Sequence, residues 1–104
     1  MNRRDPEQDR QHAQAFLQAY WLSQENPKRQ DLALAALDIL TEHTAAIKDQ
    51  VPVILEATYP SEKAEVRMAK MFARLAEAAP HKVEELRGLG YADIFPKKSF
   101  WKIF

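Results

Sequence analysis

Few residue types in this chain are equipped for bond-making chemistry, and their spacing keeps them apart. His12, His43 and His81 fall on three different predicted elements. None is paired at the four-residue spacing by which one helix face holds a metal ion. Glu42 adjoins His43, but adjacent residues on a helix point away from each other. Cysteine is absent, which removes thiol nucleophiles, disulfides and thiolate zinc sites. Ser23, Ser61 and Ser99 lack the glycine-flanked turn that presents a nucleophilic serine, and 2 glycines are too few for a phosphate-cradling loop. Glu84 and Glu85 are sequence neighbours and suit a wet surface. No residue is assigned a catalytic, cofactor-binding or metal-ligating role, and the chain is expected not to be an enzyme.

Charge is patterned more tightly than the formal net charge of zero suggests. Lys63, Arg67, Lys70 and Arg74 are separated by four, three and four residues, so they form one ridge on a helix. Such a ridge can neutralise a run of phosphates or attract an acidic protein surface. The plain alternatives are a solvated flank, or pairing across a helical hairpin of Glu56 with Lys63 and Asp49 with Lys70. Asp38, Glu42, Asp49 and Glu56 recur at four, seven and seven residues. On one helix they would form an acidic face opposite Leu40, Ile47 and Ile54, a solvated strip or a dock for a basic partner.

Residues 91–104 differ from the rest, being aromatic and basic. Phe95, Phe100, Trp101, Ile103 and Phe104 lie among the last ten residues, interleaved with Lys97, Lys98 and Lys102. Leaving such side chains in water would forgo about 1.5–3 kcal/mol each and create a sticky patch. The tail is therefore expected to bury Phe100, Trp101 and Phe104 in its own bundle, in a second copy, or on a partner. Its lysines also suit an anionic membrane or nucleic acid, but so short a segment anchors weakly.

The elements that must position these groups read as helices. Ala, Leu, Glu, Gln, Lys and Arg dominate, and the hydrophobic share of 46% beside 29% charge argues against disorder. Asp5-Pro6-Glu7 opens a helix over roughly 6–25, whose apolar face includes Ala13, Phe16, Leu17, Tyr20 and Trp21. Beyond Pro27, the spacing of Ala36, Leu40, Ile47, Val51 and Ile54 predicts one helix to about residue 58 kinked by Pro52, or two divided near 47–50. Tyr59-Pro60 makes the next break. A helix over roughly 61–79 follows, with Ser61 as N-cap and Met68, Met71, Phe72 and Leu75 facing the core. A short helix from Pro80 to Leu86 ends at Gly88 or Gly90.

These elements predict an all-α fold: one domain over 1–104, a bundle of four or five helices with short proline-marked turns, a flexible start over 1–5 and a docking tail. The polar start has no apolar segment behind it, and Val53-Ile54-Leu55 falls far short of the ~20 residues of a membrane span. A cytoplasmic protein without cofactor is expected. The functional expectation is a small non-enzymatic interaction module, such as an adaptor, inhibitor or accessory subunit. It would contact a protein partner or a second copy of itself, and no membrane. The alternative is a nucleic-acid-binding accessory protein using the basic ridge. Deleting residues 96–104 is expected to lower the melting temperature where the tail docks internally. Where it docks externally, deletion should instead dissociate an oligomer or partner with little change in monomer stability. Melting curves and light scattering on both chains measure the difference. Unchanged stability, mass and partner recovery, with Trp101 fluorescing as a hydrated indole, would refute docking.

Overall fold

Asp5 accepts a hydrogen bond from the backbone N–H of Glu7 at 3.0 Å, and Pro6 takes the first helical position, where a missing N–H costs nothing. In the computed structural model, which describes residues 5–91, the helix that starts here is α1, Pro6–Glu25. It is followed by α2 (Gln30–Glu42), α3 (Thr44–Thr58), α4 (Ala64–Ala78) and α5 (Pro80–Leu86), then a wide turn over Arg87–Tyr91. The described residues hold no strand, and the fold is an all-α bundle of five helices. Gly90 closes the wide turn at φ +106°, a conformation that side chains disfavour. The expected docking of Lys97, Lys98, Phe100, Trp101 and Phe104 lies outside the described residues, as does the chain start over 1–4.

Packing follows the apolar stripes. Helix α1 lies against both α2 and α3, and α4 packs on α3, α5 and α2. Phe16, Tyr20, Leu37, Leu40, Ile47, Val51 and Leu75 are fully buried where these stripes meet, with Phe72 and Val83 closing the far side. Phe16 and Phe72 join α1 to α4 through tilted rings whose centroids are 6.2 Å apart.

The break between α2 and α3 falls at His43, earlier than the proline or the stretch near 47–50 would place it. The hydroxyl of Thr44 donates to the Leu40 carbonyl at 2.7 Å, and that of Thr41 to the Asp38 carbonyl at 3.0 Å. Side-chain donors thus compete for carbonyls that a continuous helix would use, and His43 turns out of the helical region at φ −130°. Pro52, in contrast, sits inside α3 without ending it. Burial of Ile47, Val51 and Leu55 on either side of it outweighs the roughly 3 kcal/mol a mid-helix proline costs.

The break has two consequences. The core face of α3 rotates to Ala46, Ile47, Val51 and Leu55, leaving Ile54 half-buried. The acidic face is no longer one strip: Asp38 and Glu42 stand exposed on α2, Asp49 and Glu56 on α3. Two smaller expectations are also corrected. Helix α4 begins at Ala64 with Lys63 at its N-cap, so Ser61 does not cap it. Trp21, expected in the core, is 39% exposed, because the inward face of α1 runs through Ala13, Phe16, Leu17 and Tyr20.

Leu37 is fully buried between helices, whereas Val53 points outward at 59% exposure. Leu37→Ala is expected to cost about 2–5 kcal/mol by leaving a cavity, and Val53→Ala about 0.5 kcal/mol or less. Urea unfolding measures both, and equal effects would contradict this packing.

Candidate interaction site between the first and fourth helices

The charged groups of α4 are organised by a residue outside it. After α3 ends, the Glu62 N–H donates to the Tyr59 carbonyl at 3.2 Å, folding the 59–63 turn back over the first turns of α4. The Glu62 carboxylate then accepts from Lys70 Nζ at 3.0 Å, and its other oxygen lies 3.1 Å from Arg67 Nε. That Nε is not aligned for a hydrogen bond, so charge holds the Arg67 contact. Arg67 also lies over the Tyr59 ring, 3.4 Å from its centroid. Two of the four ridge cations are thereby half-neutralised. The expected hairpin pairs do not form: Lys70 turns to Glu62 rather than Asp49, and Glu56 makes no ion pair with Lys63.

Arg74 is different. Its Nη1 donates to the Tyr20 hydroxyl at 3.2 Å, and no described carboxylate pairs with it. Tyr20 is fully buried, and its hydroxyl, reaching the cleft edge, needs a polar partner there. The guanidinium is therefore fixed by a neutral group and keeps its charge and most of its donors available.

These residues rim a pocket of about 180 Å³ between α1 and α4. Glu62, Arg67, Lys70 and Arg74 supply its polar edge, while Tyr20, Trp21, Leu55 and Met71 supply its aromatic and apolar walls. Trp21 packs edge-on to Tyr20, with centroids 5.2 Å apart. Past Trp21 a shallower concavity of about 700 Å³ follows the outer face of α1 along Gln14, Gln18 and Leu22. On the far side of Arg74 a third, of about 360 Å³, is lined by Ser23, Pro27 and Glu77. Trp21 and Arg74 are thus walls shared between neighbouring hollows.

Of the sequence-predicted residues, the structure brings Arg67, Lys70 and Arg74 to this site and leaves Lys63 exposed at the head of α4. Sequence spacing missed Glu62, Tyr20 and Trp21 as members. Glu62 precedes Arg67 and Lys70 by five and eight residues, and only its place in a turn makes that reach natural. It also missed a pair: the rings of His12 and His43 stack 3.5 Å apart at an interplanar angle of 7°. Because His43 has left the helix, its Nε2 comes within 3.8 Å of Glu42. Among the described residues no three metal-binding side chains converge there or elsewhere, and no helix is long and apolar enough to cross a membrane.

The hydrogen bond from Lys70, with the charges of Lys70 and Arg67, holds the Glu62 carboxyl below the usual carboxylate range against partial burial. A depressed pKa stabilises the fold above the unfolded-state value, and that contribution fades as pH falls through the lower, folded value. Glu62→Gln is therefore expected to lower the melting temperature at neutral pH. The gap to the parent should close as pH falls below the ordinary carboxylate range, through the lowered folded-state value. Thermal melts across pH at low salt measure this, and a gap independent of pH would contradict the charge clamp.

Comparison of the chain with protein-family models, curated proteins and solved structures returns no match.

Proposed function

We propose that this chain is a small non-enzymatic interaction module of the cytoplasm, an adaptor, inhibitor or accessory subunit that engages a protein partner through the α1–α4 cleft. The observation that carries this reading is Arg74, held by Tyr20 without a described carboxylate, beside the exposed Trp21. Tyrosine, tryptophan, arginine and methionine are the types enriched where protein interfaces concentrate their energy. Here Tyr20, Trp21, Met71 and Arg74 converge on one concavity. A rigid aromatic wall loses little conformational entropy on contact, and a fixed guanidinium adds direction. The acidic pairs Asp38/Glu42 and Asp49/Glu56 lie on α2 and α3 and take no part in this surface.

The nucleic-acid alternative draws on the same ridge. The Glu62 clamp weighs against it, because a carboxylate held among the cations repels phosphate and offsets part of the charge that would release counterions.

The Trp21→Ala/Arg74→Ala double variant is expected to lose partner binding by at least about 2 kcal/mol, roughly thirty-fold. Its melting temperature should fall, since Arg74→Ala leaves the buried Tyr20 hydroxyl unpaired, so binding is compared at a temperature where circular dichroism shows both chains folded. Quantitative capture with both proteins, followed by titration of DNA and RNA across salt, measures this. Full retention of partners by the variant would refute the cleft. Tight nucleic-acid binding with a steep salt slope would favour the alternative.

A further inference from the structure

The pocket between α1 and α4 has a chemistry narrower than general stickiness. Its cations are not equivalent. Lys70 and Arg67 are turned toward Glu62, whereas among the described residues Arg74 is anchored by a neutral phenol hydroxyl and no carboxylate. An anchored guanidinium presents two parallel N–H donors, the geometry that a carboxylate accepts bidentately. Glu62 sits on the same rim, so an incoming dianion or a polyanionic backbone meets a fixed negative charge. A monoanion is repelled less and can still use Arg74 and the outer side of Lys70. The volume of about 180 Å³ accommodates one side chain rather than a nucleotide. Trp21 and Met71 form the walls against which the methylenes of that side chain would lie.

We infer that the α1–α4 pocket receives a single carboxylate side chain, a glutamate or aspartate presented by the protein partner, with Arg74 as its bidentate receptor and Tyr20 as the residue that positions Arg74. This rests on the module reading above and adds the chemistry of the contact. Tyr20 acts through Arg74 rather than on the ligand, so removing its hydroxyl should loosen binding without removing charge. Glu62 acts as the selectivity element, since it disfavours phosphate while leaving one carboxylate acceptable.

The experiment uses the full chain and three probes: the acetylated amide of glutamate, the same amide of glutamine, and inorganic phosphate. Side-chain Nε–H resonances of arginine and the Trp21 indole are followed by NMR. The glutamate amide is expected to shift the Arg74 and Trp21 signals saturably, with affinity at least about tenfold above the neutral glutamine isostere. Arg74→Gln should remove that preference, and Arg74→Lys should keep only part of it, having charge but no fork. Tyr20→Phe should weaken binding while the Arg74 signal broadens, a change that lost charge would not produce. Glu62→Gln should raise phosphate affinity relative to carboxylate. Equal shifts from the glutamate and glutamine amides, an unchanged preference in Arg74→Gln, or tighter binding of phosphate than of carboxylate by the parent would overturn the inference. Probe failure combined with partner loss in the Trp21/Arg74 double variant would refute the pocket chemistry and leave the module standing. Probe binding without any partner loss would do the reverse.

Discussion

Burying a phenol is costly unless its hydroxyl finds a hydrogen-bond partner, and this fold buries Tyr20 and supplies that partner. Tyr20 is fully buried on α1, the helix that packs against both α2 and α3, and its hydroxyl meets Arg74 of α4. That one bond links the core to the surface. It ties the register of α4 against α1, since sliding α4 by a turn would leave the hydroxyl unpaired. It also fixes a guanidinium at the rim of a hollow that combines several cations with an aromatic wall. The apolar anchor and the functional candidate are therefore the two ends of one side-chain pair.

The second constraint is the interruption at His43. A straight helix from residue 30 to 58 would extend beyond the 20 residues of α1 and could cover it along only one edge. Splitting it into α2 and α3 lets both lie on α1, which is how Leu37, Leu40, Ile47 and Val51 come to share one core. The hydroxyls of Thr41 and Thr44 flank the split and bond back to the Asp38 and Leu40 carbonyls, contacts that weaken a helix where it bends. The same interruption releases His43 from helical geometry and brings its ring onto His12. Proline proves the weaker punctuation at this point, because Pro52 removes one donor while its neighbours remain buried.

Glu62 shows how a turn can revise the meaning of a charge pattern. Four cations at helical spacing read as one basic ridge. A carboxylate from the preceding turn divides it into a half-neutralised part, Arg67 and Lys70, and a part without a described carboxylate, Arg74 and Lys63. The surface that results is selective rather than uniformly basic, which changes the class of partner it suits.

Much of the fold was legible in the sequence, because helix periodicity and capping are local. The Asp5-Pro6 start of α1, the proline-marked starts near α2 and α4, the short helix from Pro80 and the inward face of Met71, Phe72 and Leu75 all follow from spacing and backbone chemistry. The near absence of glycine and the lack of cysteine limited the chemistry in the same way. Tertiary structure alone decided the rest. Whether Trp21 or Tyr20 faces inward depends on which stripe of α1 meets α2 and α3, and both lie within one turn of the same apolar face. The partnership of Tyr20 with Arg74 spans 54 residues, and that of Lys70 with Glu62 crosses a helix boundary. Neither distance has a period. Helical spacing shows which residues share a face, but only the packing of one face on another determines which charge is neutralised and which is left to meet a partner.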